Sequence, residues 1–222
     1  MGRSITLTCA DGATIGAWRA EPAGEPKGGL VVLQEIFGVN AHMRDVTDRF
    51  AAAGYLAIAP ALFDRVHPGV EIGYGENEFK EGLDILGKTK RPETMLDLCA
   101  AILEASAAGK VGVTGFCWGG SLTYLAATFL PGVSAGVGYY GGNIAKTLPA
   151  APTRPVMLHF GEKDESIPMS DVAKIREANP AAKIYTYPAG HAFNRDASAS
   201  AYDAPSAALA MERTLAFFAE HL

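Results

Sequence analysis

A short β-branched run, Val111 to Thr114, leads directly into Gly115-Phe116-Cys117-Trp118-Gly119-Gly120 and then into an apolar stretch with Leu122, Leu125, Ala126 and Phe129. A strand that turns sharply into a helix at a residue flanked by glycines has the form of a nucleophile elbow, here with Cys117 where Ser is usual. The glycines meet a steric demand, because side chains at Gly115 and Gly119 would collide with neighbouring backbone at so tight a turn. The helix start beneath Cys117 favours negative charge, which helps a thiolate and an oxyanion alike. Without the elbow, Cys117 would read as a buried structural cysteine, the ordinary reading that Cys9 and Cys99 keep.

Such a nucleophile needs an acid and a base, supplied in that chain order by loops that follow later strands. Asp164 stands in Phe160-Gly161-Glu162-Lys163-Asp164-Glu165, and His191 in Pro188-Ala189-Gly190-His191-Ala192-Phe193, each just past a predicted strand. His191 is then the base that takes the thiol proton, and Asp164 the group that fixes its tautomer and stabilises the imidazolium. Glu162 and Glu165 are rival acids in the same loop, while His42, His67, His159 and His221 read as surface residues. Glu35 ends a buried strand in Leu33-Gln34-Glu35-Ile36-Phe37-Gly38, where an unpartnered carboxylate is costly. It is either functional or paired with a nearby Arg. The same loop is where an elbow enzyme supplies its second oxyanion N–H, which assigns the donors to Ile36 and Trp118.

The elements that must position these residues are legible as alternating strands and helices. Ile5, Leu7 and Cys9, then Asp11-Gly12, then Ile15 and Ala17 predict an antiparallel hairpin with a two-residue turn at the sheet edge. Leu30-Val31-Val32-Leu33 predicts a strand buried on both faces, and Asn40 caps a helix with Met43, Val46, Phe50 and Ala53 that Gly54 closes. Further strands are expected at 55–59, 111–114, 134–138, 156–160 and 183–187. Helices are expected at 93–106, after Gly119 and from about Ser170, and in a closing segment where Met211, Leu215, Phe218 and Leu222 share a face. Pro60 to Gly75 is the longest irregular stretch, of a length that often covers a site.

The 222 residues, 49% hydrophobic and 19% charged, can bury a large core and lack the signature of disorder. One domain over residues 1–222 is the expectation. A net charge of -5 with no basic cluster argues against nucleic acid as a partner. Three cysteines at wide spacing, with no C-x-x-C, fit neither a disulfide framework nor a zinc ribbon and suit a reducing cytoplasm. The opening residues lack the apolar run of a signal peptide, so a cytoplasmic location is expected; a monomer is the separate expectation for assembly. Val111 to Ala145 carries no charge, yet its glycines and Pro131 cut it into buried strands and turns, which predicts protein interior and no membrane span. No metal-ligand cluster and no phosphate or dinucleotide loop stands out, so no metal and no cofactor are expected.

Gln34-Glu35-Ile36-Phe37-Gly38-Val39-Asn40, Gly115-Phe116-Cys117-Trp118-Gly119-Gly120, Gly138-Tyr139-Tyr140-Gly141, the Asp164 loop and Gly190-His191-Ala192-Phe193-Asn194-Arg195 together resemble the dienelactone hydrolase family, over essentially the whole chain. The resemblance implies an α/β-hydrolase fold, a mostly parallel twisted sheet with an antiparallel N-terminal hairpin and helices on both faces. It also implies a Cys117, Asp164, His191 triad that opens an enol-lactone through a thioester. In that family the Glu matching Glu35 holds the resting thiol and responds to substrate, and two Arg residues hold the substrate carboxylate. Arg195 matches one of those arginines, and an ungapped count from Glu35 brings Lys80 to the place of the other. A Lys is a point charge where Arg is a planar fork, which makes the substrate differ or the clamp weaken. As plain surface charges, Arg195 and Lys80 would have no such role. Two other functions remain open: a broader carboxylesterase or thioesterase with the same triad, and a non-catalytic protein that binds a small acid or senses oxidants through Cys117.

Overall fold

Runs with no polar face have to be covered on both sides, and the centre of the molecule is built from them. The structure, a computed structural model, describes residues 2–222. The hairpin is β1 (Arg3–Thr8) and β2 (Thr14–Ala20), followed by β3 (Gly29–Leu33), β4 (Leu56–Pro60), β5 (Val111–Phe116), β6 (Val133–Tyr139), β7 (Val156–Gly161) and β8 (Lys183–Tyr187). All residues of β3, β4, β5 and β7 are buried. The sheet order is β1-β2-β4-β3-β5-β6-β7-β8, antiparallel at β1/β2 and β2/β4 and parallel from β4 onward.

The helices are α1 (Ala41–Ala52), α2 (Glu76–Lys88), α3 (Arg91–Ala105), α4 (Trp118–Phe129), α5 (Met169–Ala178) and α6 (Ala204–His221). Gly136 of β6 lies against Thr123 and Ala127 of α4, whereas Gly112 of β5 lies against Phe218 of α6. Gly136 pairs with Val113, the residue after Gly112, so the alternation of the pleat puts α4 and α6 on opposite faces. Asn40 caps α1 by accepting the Met43 N–H at 3.2 Å, and Gly54 closes it at φ 105°, as the sequence predicts.

Four details differ from the sequence reading. The hairpin connection runs from Cys9 to Ala13, whose N–H···O bond is 2.8 Å, so it is longer than a two-residue turn, and Gly12 takes φ 83°. Helix α2 was not among the predicted elements. The buried face of α6 is Ala207, Ala210, Thr214, Phe217 and Phe218, turned from the predicted Met211, Leu215, Phe218, Leu222 stripe because Thr214 reaches inward to the Tyr139 hydroxyl at 2.5 Å. His159 is fully buried in β7 rather than at the surface, with its ring nitrogens 2.7 Å from the Tyr187 hydroxyl and 3.2 Å from Thr214 Oγ1. Burial pushes the His159 pKa down to about 3 and keeps the ring neutral.

Candidate active site

Strand order reverses at β3, with β4 on one side and β5 on the other, and crevices for ligands form at the carboxyl ends of strands at such a point. Leu33 and Gly115 pair at the end of that seam, which puts the Glu35 loop beside the Cys117 turn. Cys117 sits at φ 55°, ψ -114°, in the sparsely populated region that costs a non-glycine residue energy unless the surroundings fix it. Its N–H is held by Tyr139 O at 3.0 Å, and the Gly119 N–H by Gln34 O at 3.1 Å. A Cβ on Gly115 would lie 2.2 Å from Gly119 O, and one on Gly119 only 2.4 Å from Leu33 O. Both glycines are therefore required for α4 to start against β3.

His191 lies at the turn after β8, with Nδ1 2.6 Å from Asp164 Oδ2. The other carboxylate oxygen of Asp164 accepts the Ser166 N–H at 2.9 Å and the Ser166 hydroxyl at 2.6 Å. Ser166 was missed in the sequence, although an Asp followed two residues later by Ser is the local pattern of such a turn. Burial works against charge on both members of the pair. It is outweighed at Asp164, whose pKa is lowered by His191 and Ser166, and at His191, whose pKa is pushed up to about 10 by hydrogen bonds and charge from Asp164 and Cys117. Cys117 lines the same cleft as His191 and Asp164. Of the rival acids, Glu162 accepts from Thr186 Oγ1 at 2.8 Å, and Glu165 lies on the cleft wall with no hydrogen bond to His191.

Cys117, His191 and Asp164 open onto a cleft of about 670 Å³, which Ile36 and Trp118 also line. Among the described residues, no backbone carbonyl accepts the N–H of Ile36 or of Trp118. Trp118 is the first residue of α4, and its indole stacks on Phe63 at 5.3 Å, which holds the start of the helix in place. The two amides and the thiol can together hold a carbonyl carbon and a negatively charged oxygen.

Glu35 is 1% exposed and forms a two-pronged pair with Arg195, at 2.9 Å from Nε and 2.8 Å from Nη2. Its carboxylate is thus given to the arginine, as the salt-bridge alternative in the sequence expects, with no hydrogen bond to the Cys117 thiol. Arg195 is itself buried, stacked over the Tyr74 ring at 4.4 Å and the Phe37 ring at 5.1 Å, and it is not on the cleft wall. It is not a solvated surface charge. Tyr140, at φ 39°, packs its ring 5.0 Å from that of His191, and burial raises its pKa well above the ordinary tyrosine value. Lys80 is a correction: its side chain points outward, donates to Glu76 Oε1 at 2.9 Å and does not line the cleft. The α2 residues that do line it are Phe79, Leu83 and Leu86, because a helix turns only one stripe inward. Elsewhere, the buried Cys9 donates to Asp97 Oδ1 at 3.1 Å.

The sequence model of the dienelactone hydrolase family matches residues 15–222. The chain belongs to the dienelactone hydrolase family. This hydrolase is 38% identical to the carboxymethylenebutenolidase of Pseudomonas putida over 226 residues, which covers 97% of this chain and 95% of that one. The carboxymethylenebutenolidase of Pseudomonas knackmussii matches with the same identity and coverage. The fold superposes on a Klebsiella pneumoniae structure assigned to the dienelactone hydrolases with a TM-score of 0.85 at 33% identity, covering 100% of both chains. Among the described residues, no helix of the hydrolase is long and apolar enough to cross a membrane.

Proposed function

We propose that the protein hydrolyses an ester or lactone bond through a thioester on Cys117. The enol-lactone ring is the substrate type that the resemblance and the name of the Pseudomonas relatives suggest. The observation that carries this reading is the His191–Asp164 pair, 2.6 Å from Nδ1 to Oδ2, on the same cleft wall as Cys117. His191 takes the thiol proton, and Cys117 Sγ attacks the carbonyl carbon while the N–H groups of Ile36 and Trp118 hold the oxyanion. Collapse breaks the bond to the ring oxygen, and the leaving alkoxide or enolate takes the proton from His191. In a lactone that oxygen stays in the same molecule. Water then adds to the thioester with His191 as base, which releases the acid and restores the thiol.

A broader carboxylesterase is the second reading, favoured by one observation: Arg195, the cation expected to hold a substrate carboxylate, is already satisfied by Glu35. Steady-state hydrolysis of cis- and trans-dienelactone beside a neutral aryl acetate separates the two. Turnover of either lactone that Cys117→Ala abolishes is the expected result. Turnover of the aryl ester alone would move the function to the esterase, and no turnover of any of the three would overturn the hydrolytic reading in favour of a protein that binds or senses through Cys117.

A further inference from the structure

Trp118, Ser121, Asn143 and Lys146 are shared by two cavities, the cleft that holds Cys117 and a side pocket of about 320 Å³. The side pocket lies between the start of α3, the part of α4 that carries Leu122 and Leu125, and the turn after β6. Its charged lining is all positive. Arg91, the first residue of α3, makes no hydrogen bond or ion pair among the described residues, and Glu93, the acid nearest to it in sequence, is taken by Lys90 at 3.0 Å. Lys146 Nζ donates to Asn143 Oδ1 at 3.0 Å and has no acidic partner among the described residues. Ser121 is 3% exposed and accepts the Asn143 N–H at 3.1 Å, while its own hydroxyl hydrogen has no acceptor among the described residues. The threonine hydroxyls of the lining donate to backbone carbonyls, which leaves Arg91, Lys146, Ser121 and the Asn143 amide as the free donors. No carboxylate lines this pocket, whereas Asp164 and Glu165 line the cleft.

A concave site with two cations and no acid favours a negative charge, and a guanidinium matches the two oxygens of a carboxylate. The rest of the wall is apolar, formed by Trp118 and the buried Leu122 and Leu125. A cavity of about 150 Å³ already admits benzene, so this pocket has room for a ring together with its carboxylate. We propose that the side pocket binds a small carboxylic acid with an apolar body, its carboxylate on Arg91 and Lys146 and its body against Trp118, Leu122 and Leu125. The carboxylate belongs either to a separate acid or to the far end of a substrate whose carbonyl lies at Cys117, since the two cavities share a wall. Binding itself is independent of the reading of Cys117 as nucleophile, and only the substrate source rests on it.

The test is calorimetric titration of benzoate and its uncharged analogue benzamide into wild type, Arg91→Gln, Lys146→Gln and Lys163→Gln. Arg91 lines the side pocket and not the cleft, and Lys163 the cleft and not the side pocket, so the variants report where the acid binds. Benzoate should bind about tenfold more tightly than benzamide, and Arg91→Gln and Lys146→Gln should each weaken it by about five- to tenfold, with Lys163→Gln within about twofold of wild type. Added salt should weaken benzoate and leave benzamide unchanged. Benzoate no tighter than benzamide, an affinity unchanged in Arg91→Gln, or a loss confined to Lys163→Gln would overturn the proposal. The source of the carboxylate is read from kcat/KM for the mono-4-nitrophenyl ester of succinate beside 4-nitrophenyl butyrate. A fall in Arg91→Gln for the succinate ester alone supports the pocket as a seat for the substrate's own carboxylate; both rates unchanged, with benzoate affinity lost, supports a separate acid. Wild type inactive on both esters would remove the hydrolytic reading, and the calorimetric result would still decide the pocket.

Discussion

Removing the guanidinium of Arg195 should damage the fold more than any surface substitution. Glu35 and Arg195 are 1% and 9% exposed, and the side chains meet in two charge-assisted hydrogen bonds of 2.9 and 2.8 Å. Arg195→Ala leaves the Glu35 carboxylate in the interior without the two hydrogen bonds and the charge of its guanidinium partner. Breaking a buried pair in this way costs about 3–5 kcal/mol, a large share of the roughly 5–15 kcal/mol that hold a domain folded. For a chain of this size each kcal/mol moves Tm by about 2–4 °C, so a fall of roughly 6–20 °C is expected. Urea denaturation of wild type, Arg195→Ala and the double variant Glu35→Leu with Arg195→Met checks the reasoning. The double variant, which removes both charges and keeps the volume, should recover most of the loss. Arg195→Ala within about 1 kcal/mol of wild type, or a double variant as unstable as the single, would refute it.

Four further outcomes are expected. His191→Ala should lower ester hydrolysis by about 10³-fold or more, and a variant near wild-type rate would remove the base from the mechanism. The His191 ring should titrate near 10, above its ordinary 6.5, so its charge adds stability that is complete below about 6.5 and is lost as pH rises through about 10. Asp164, lowered from 3.8, contributes stability that is lost as pH falls through its folded value. NMR titration of the ring in wild type and Asp164→Asn tests both, and a wild-type midpoint near 6.5 contradicts the pairing. Lys80→Ala should change stability by no more than about 0.5 kcal/mol and leave kcat/KM for dienelactone intact, because among the described residues its only partner is the exposed Glu76; a selective loss on the acidic lactone would restore the clamp. Gly119→Ala should prevent soluble folding or lower Tm sharply, since its Cβ meets the Leu33 carbonyl oxygen at 2.4 Å, and a variant of unchanged Tm would contradict the described turn.

The parts of this molecule that were legible in the sequence are those fixed by local chemistry. Buried strands declare themselves by continuous apolar runs, the start of α1 by Asn40 and its end by Gly54, and the elbow by glycines placed where side chains cannot fit. What was not legible depends on tertiary choice. Lys80 and Phe79 are neighbours in sequence, and only the rotation of α2, set by Gly82 against Ile36, decides which of them enters the cleft. His159 looks like any loop-adjacent histidine until the Tyr187 and Thr214 hydroxyls arrive from β8 and α6 to satisfy it. Glu35 could have met a thiol or a guanidinium, and the choice rests on Arg195, 160 residues away, being buried between Phe37 and Tyr74. The hydrophobic spacing in α2 was a usable signal that the acidic and lysine-rich composition of the segment obscured.

The most direct test of the central claim is the location of the acyl group during turnover. Wild-type protein mixed with excess 4-nitrophenyl acetate, quenched in acid within the first turnover and digested with pepsin, should carry the acetyl group on Cys117, and Cys117→Ala should carry none and turn over no ester. Acetyl on another residue, or undiminished turnover by Cys117→Ala, would contradict the account.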